Sequence, residues 1–413
     1  MDVLSLARLR GSVIILTCLI CEIHLAEFRR ALQILLVCVF TAMLGLGIIS
    51  PILPLYASDM GATLVQVGLL SSAWSMSRLI FTAPIGRFSD RSSKKKIIAA
   101  GLLVYAVISL MYVVAWDFTS LVFIRFLHGI GSAMSMPIAF AYAAEIIPEG
   151  EEGRYMGTLN MAMFAGMGLG PFIGGSLTDF FSMSAAFYVM GAFTGLSLLL
   201  VMVFLPDDIQ RRARSERPRS SFREILSNRL LRAAFVYRAV GALGRGCIMS
   251  FLSMYISGSP DIGGLGIPIS ITGTILSVGQ VSAALLQQPF GVLADKYDKV
   301  HLTLLGGVMG AIGLALFPFA NESWGVLGAR LVFSAGSAMG MPALTAIVAI
   351  EGRDKGLGTT MSVLQTAMSV GMIAGPLISG ALGDVYGLRP IFFIGSLITI
   401  AGTAAFYVIQ RFG

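Results

Sequence analysis

Residues Gly86 to Lys96 read G-R-F-S-D-R-S-S-K-K-K, and a related stretch, G-V-L-A-D-K-Y-D-K, begins 205 residues later at Gly291. The same offset links Pro84 to Pro289, Asp90 to Asp295, Arg125 to Arg330, Pro137 to Pro342, Pro171 to Pro376 and Asp179 to Asp384. An offset that holds near half the chain length marks an internal duplication, so the chain is two related halves. Each charged stretch lies between two long apolar runs. It is a short loop at the same place in each half.

A water-soluble chain of 413 residues would fold as two or three domains. Here 56% of residues are hydrophobic and 12% are charged, about half the charge that soluble domains carry. Charge this sparse cannot cover a surface in water, and the apolar runs reach the ~20 residues that cross a bilayer. The chain is therefore expected to be an integral membrane protein. Spans are expected near 31–56, 64–85, 97–116, 119–146, 155–179 and 184–205, then 232–257, 268–290, 301–320, 324–350, 357–383 and 390–410. The organisation that follows is an extension (1–30, interfacial or dispensable), a six-helix bundle (31–205), a polar linker (206–231) and a second six-helix bundle (232–413). The 48 glycines suit close helix packing in a membrane.

The net charge of +7 is topological. Of 29 Lys and Arg, all but Arg389 and five intramembrane arginines fall in one alternating set of loops and the termini. By the positive-inside rule that set is cytoplasmic, with both termini. A nucleic-acid partner would need a soluble basic face, which is missing. The arginine-rich linker is read as a topological anchor. Cys18, Cys21 and His24 lack a second ligand pair for a metal. No Walker-type phosphate loop occurs, so no ATP or other cofactor is expected.

Four stretches carry a resemblance. Gly86 to Lys95 resembles the loop motif G-x-L-A-D-R-x-G-R-K of the major facilitator superfamily, with Ser93 in place of the motif's second glycine. Leu121 to Ala133, L-V-F-I-R-F-L-H-G-I-G-S-A, resembles its fourth-helix motif around an intramembrane Arg. Gly166 to Gly175, G-M-G-L-G-P-F-I-G-G, is similar to the antiporter motif G-x-x-x-G-P-x-x-G-G at every fixed position. Leu44 to Pro54, L-G-L-G-I-I-S-P-I-L-P, resembles the first-helix pattern of the twelve-span drug:proton antiporters.

The resemblance implies an all-α fold of twelve transmembrane helices in two pseudo-symmetric bundles around a central cavity. It also implies site residues. Gly86, Asp90 and Arg91, with Gly291, Asp295 and Lys296 in the second copy, would form a gating loop that locks the cytoplasmic side. Gly166, Gly170, Pro171, Gly174 and Gly175 would seal the outside and mark export. Arg125 would serve coupling or gating.

Other residues are singled out by their own chemistry. An Arg inside a span must face a cavity or a partner, which draws attention to Arg78, Arg125, Arg245 and Arg330; Arg238 is expected to snorkel to the membrane surface. His128, three residues beyond Arg125, stands where the resembling motif has Gln; it is expected as a hydrogen-bonding stand-in, with a proton relay the alternative. Tyr56, Asn160, Tyr255, Gln280 and Gln365 are candidates for hydrogen bonds inside an otherwise apolar cavity. More arginine than carboxylate there should favour anionic or neutral amphiphiles.

The expected function is export of a small amphiphilic molecule, drug-like or metabolite, in exchange for protons by a monomer in the plasma membrane. A sugar or organic-anion facilitator is the alternative. A membrane enzyme would need clustered His, Asp or Glu, which His24, His128 and His301 do not provide. A non-transporting sensor would carry an added soluble domain, and the linker is too short for one.

Overall fold

A computed structural model describes residues 3–89, 92–147, 152–206, 222–351 and 357–412, with residues 3–28 described by backbone alone. Hydrocarbon offers the backbone no hydrogen-bond partners, so each apolar run satisfies its own amides as a helix. The first half comprises α1 (Val3–Asp59), α2 (Leu64–Ser89), α3 (Lys94–Val113), α4 (Phe118–Ile146), α5 (Glu152–Phe180) and α6 (Met183–Phe204). A short α7 (Phe222–Ser227) precedes the second half, α8 (Arg229–Ser257), α9 (Ile269–Lys296), α10 (Lys299–Leu316), α11 (Ser323–Glu351), α12 (Leu357–Tyr386) and α13 (Leu388–Phe412). Twelve stretches are long and apolar enough to cross a membrane, the first being Arg29–Asp59 within α1.

Polar residues set several helix starts. Asp117 accepts the Ser120 amide at 2.8 Å and opens α4, and Asn228 accepts the Leu230 and Leu231 amides at 2.9 and 3.1 Å to open α8. Asp298 accepts the His301 amide at 2.9 Å and opens α10. Gly61, with φ +78°, turns the chain from α1 to α2, and Gly266, its counterpart 205 residues on, has φ +65°. Both need the left-handed backbone that glycine adopts without penalty.

The expected span boundaries hold to within a few residues, except that α1 runs as one helix from Val3, so the described part of the expected 1–30 extension continues the first span. Two further differences concern the loops. First, α2 and α9 run through Gly86 and Gly291 to Ser89 and Lys296, so the charged stretches begin as helix. Nothing polar stops them earlier. Second, the linker region contains α7, whose Ile225 is fully buried beside Leu231 and Ala234 of α8. Ile225, with the partly buried Leu226, anchors this segment to the second bundle.

Within the first half, α5 lies on α1 through glycine. A Cβ at Gly166 would strike the Phe40 carbonyl, one at Gly170 would strike Gly47, and one at Gly174 the Ile48 carbonyl. In the second half, Gly371 and Gly375 of α12 meet the Ala239 and Leu243 carbonyls of α8 in the same way. Spacing of four places these glycines on one helix face, where they let the two backbones approach.

Candidate functional site: the far-side seal and the cavity between the halves

The next face of α5 carries Pro171 and Gly175, and it packs across the molecule on α9. A Cβ at Gly175 would strike the Ile269 carbonyl, and one at Gly273 would strike the Pro171 carbonyl. The second copy repeats both contacts. Gly380 meets the Leu64 carbonyl, and Gly68 of α2 meets the Pro376 carbonyl. Every partner here is related to its counterpart by 205 residues.

Hydrogen bonds join the same helices; the carboxylate contacts follow the offset, whereas the two serines share it but reach different partners. The Ser277 hydroxyl accepts the Phe172 amide at 2.9 Å, and the Ser72 hydroxyl donates to the Ile373 carbonyl at 2.7 Å. Asp179 at the end of α5 accepts the Ser270 amide of α9 at 2.7 Å. Asp384 at the end of α12 accepts the Leu64 and Val65 amides of α2 at 2.6 and 3.1 Å. Each carboxylate satisfies amides that a helix start leaves unpaired and sits at its positive end. All these contacts lie in the half of α2, α5, α9 and α12 away from the linker, so the two bundles are joined at that end.

Below this seal lies a cavity between the bundles. Its walls include Leu46, Ser50 and Pro54 of α1, Trp74 of α2, Arg125 of α4, and Met249 and Met372 from the second half. It is mainly apolar with one cation. Arg125, 8% exposed, stacks over Trp74 at 5.6 Å, and Arg78 stacks over the same ring at 5.4 Å. The Arg125 Nη1 donates to His128 Nδ1 at 3.4 Å, and the Tyr112 hydroxyl lies 3.2 Å from the same nitrogen. A guanidinium only donates, so Nδ1 accepts and the fully buried imidazole carries its proton on Nε2, which has no hydrogen-bond partner among the described residues. His128 thus accepts a hydrogen bond from Arg125. Tyr105 meets its ring edge-on at 4.6 Å.

Arg330 occupies the equivalent place in the second half, pressed against Gly279 and 5.7 Å over Phe333. Trp74 and His128 correspond to Gly279 and Phe333, so the two copies of this arginine have diverged in surroundings.

The other expected residues spread over several locations. Asp90 and Arg91 lie outside the described residues, as does the Asp295 side chain. Gly86 faces open space, Gly291 faces Pro342, and Lys296 is exposed at the end of α9. Tyr56 donates to the Tyr112 and Ala115 carbonyls at 3.3 and 3.2 Å, while Tyr255 donates to those of Phe317 and Ala320 at 3.0 and 2.8 Å. Both hydroxyls therefore tie off neighbouring helix ends. Asn160 and Gln365 are exposed at equivalent places on α5 and α12, and Gln280 is half-buried on α9.

Arg238 corrects an expectation. It does not snorkel: it is 9% exposed, and its guanidinium points inward at the sulfurs of Met341 and Met368. Arg245 lines a separate cavity inside the second bundle rather than the one between the halves. Sequence reasoning passed over Trp74, Tyr105, Ser72 and Ser277. The offset of 205 that pairs the two serines was the available signal.

The model of the major facilitator superfamily matches residues 35–258 and 234–411. The chain belongs to the major facilitator superfamily. Superfamily members are transporters, so this chain is a transporter and not an enzyme. It is 28% identical over 395 residues to an uncharacterised MFS-type transporter of Methanocaldococcus jannaschii, covering 94% of this chain and all of that protein. It is 29% identical over 377 residues to the quinolone resistance protein NorA of Staphylococcus aureus, covering 88% and 92% of the two chains. Among solved structures, an inward-facing bacterial homologue of the human lysosomal transporter Spinster superposes with a TM-score of 0.80 at 14% identity, over 93% and 97% of the chains. A mutant form of the nucleoside transporter NupG superposes with a TM-score of 0.79 at 12% identity, over 92% and 100%. At these identities the superpositions show a common fold.

Proposed function

We propose that this transporter exports small amphiphilic molecules across the plasma membrane in exchange for protons, by rocking of the two bundles, with the linker and both termini cytoplasmic. The observation that carries this reading is the cavity between the bundles, apolar with a single cation and closed at the end away from the linker by duplicated contacts. Apolar walls suit an amphiphile, and a few polar groups orient it. Similarity to a quinolone resistance protein supports efflux as the direction.

The cavity suggests a route for coupling. A proton arriving at His128 would occupy Nδ1, the acceptor that holds Arg125. It would also place a second cation against the arginine. Protonation and release of Arg125 toward the cavity are therefore linked events, with Tyr105, Tyr112 and Arg78 the other polar or charged groups nearby.

The test is efflux of an amphiphilic dye from energised cells or proteoliposomes, with the pH gradient collapsed in a parallel run. Wild type should need the gradient, and Arg125→Ala and Asp90→Asn should each lose most efflux. His128→Gln separates the two readings of that residue: downhill transport kept with the gradient response lost makes it the proton site, and fully coupled efflux makes it a hydrogen-bonding stand-in for Gln. Efflux indifferent to the gradient in wild type would replace antiport with facilitated transport.

A further inference from the structure

A second cavity lies within the second bundle, away from the interface between halves. It is lined by Tyr237, Arg238 and Arg245 of α8, and by Gly306 and Gly310 of α10 and Gly336 of α11 among others. The glycines leave bare backbone as its wall, and its volume is about 40 Å³. A single water needs roughly 10–15 Å³ on this measure. The space suits a group of a few heavy atoms.

Its charge is unbalanced. Arg238 donates only to thioether sulfurs, which are weak acceptors, and its Nε has no partner. Arg245 Nε likewise has none. Arg330 stacks on Phe333, a residue of the cavity wall, and its Nε is also unpartnered. Arg245 lies within Coulombic reach of both other guanidiniums. Among the described residues the ion pairs are Lys94 with Glu145 and His301 with Asp298, and neither is near this cluster. Neighbouring hydroxyls do not compensate: Tyr237 donates to the Thr303 carbonyl and Thr403 to the Thr399 carbonyl. Burying one unpaired cation is costly, and three that repel one another are more so.

We propose that this cavity is an anion-binding site, held by Arg238 and Arg245 with Arg330 adding to the field. Its ligand is a small monovalent anion, either chloride or a carboxylate no longer than acetate. Guanidinium N–H groups match a carboxylate and also hold a halide. An anion here neutralises α8 from inside the bundle.

Binding is read without transport, so its failure and that of the export reading are distinct. The purified full-length protein in an uncharged detergent is heated in sodium chloride, sodium acetate or sodium gluconate at equal ionic strength. Gluconate, with its long polyol chain, exceeds the cavity and serves as the reference. Chloride or acetate should raise the unfolding midpoint saturably by a few degrees over gluconate. Chloride alone identifies an inorganic counter-ion; acetate acting as well identifies a carboxylate site. The shift should be lost in the Arg238→Gln/Arg245→Gln double variant and kept in Arg245→Lys, which retains the charge if the glutamine variant fails to fold. No difference between the salts in wild type, or an equal shift in a folded double variant, overturns the proposal.

Discussion

Acceptors are the scarce resource at the residue scale in this protein. Arg125 has an imidazole and an indole face in place of a carboxylate, and Arg238 has two thioethers. Outside the membrane the arrangement reverses, and carboxylates find amides. The His301 amide holds the Asp298 carboxyl below the ordinary aspartate range, and the Ser120 amide does the same for Asp117. A depressed folded pKa means the stabilisation is complete above the unfolded value near 4 and is lost as pH falls through the lower folded value. Asp298→Ala should therefore cost ~1 kcal/mol at pH 7, typical of a lost helix cap, and less at pH 3, where the carboxyl begins to protonate. Thermal unfolding in detergent at the two pH values checks it. A cost independent of pH would mean the side chain acts by packing instead.

Elements in this fold are written for two neighbours at once. On α5, Gly166, Gly170 and Gly174 serve α1 inside the bundle, while Pro171 and Gly175 serve α9 across the molecule. The glycine motif was legible in the sequence as a close-packing face. Its division between an intra-bundle and an inter-bundle face was not, because adjacent positions 174 and 175 look alike until both partners are in place. The division predicts different phenotypes for neighbouring substitutions. Gly174→Val should lower the unfolding midpoint and the yield of folded protein, since it wedges α5 from α1 at Ile48. Gly175→Val should leave the midpoint nearly unchanged and impair transport, since it pushes on Ile269 and Ser270 of the other half. Unfolding curves and dye efflux for the two variants separate these effects, and equal destabilisation by both would count against two faces.

The whole molecule is held shut at one end by contacts that occur twice. Asp179 of α5, bound to the start of α9, and Asp384 of α12, bound to the start of α2, form such a pair, and Ser277 and Ser72 each add one hydrogen bond across the halves. A charge at a helix start contributes ~0.3–1 kcal/mol where it is exposed, which is small enough for the seal to open in each cycle. Asp179→Asn and Asp384→Asn should each shift the population toward opening at the far side by roughly two- to fivefold, with the double variant near the product. The readout is labelling by an impermeant thiol reagent, added from the far side, of a Ser50→Cys reporter in the cavity wall. An unchanged labelling rate in the double variant would remove the carboxylates from the seal.

The twelve spans and the duplication were readable in the chain alone, because each depends on local composition or on comparison of the chain with itself. Membrane spans are set by runs of apolar residues, and a repeat survives as an offset. Where the polar groups went was settled only by the packing of the helices. Tyr56 and Tyr255, read as cavity donors, tie off helix ends. Arg238, read as a surface residue, turns inward. Asp179 and Asp384, visible only as a repeated pair, each reach the start of a helix in the opposite bundle. One cause covers all three cases. A hydrophobic run acts through the solvent around it, but a hydrogen bond or charge contact acts through one partner at about 3 Å, and that partner is set by how the bundles pack.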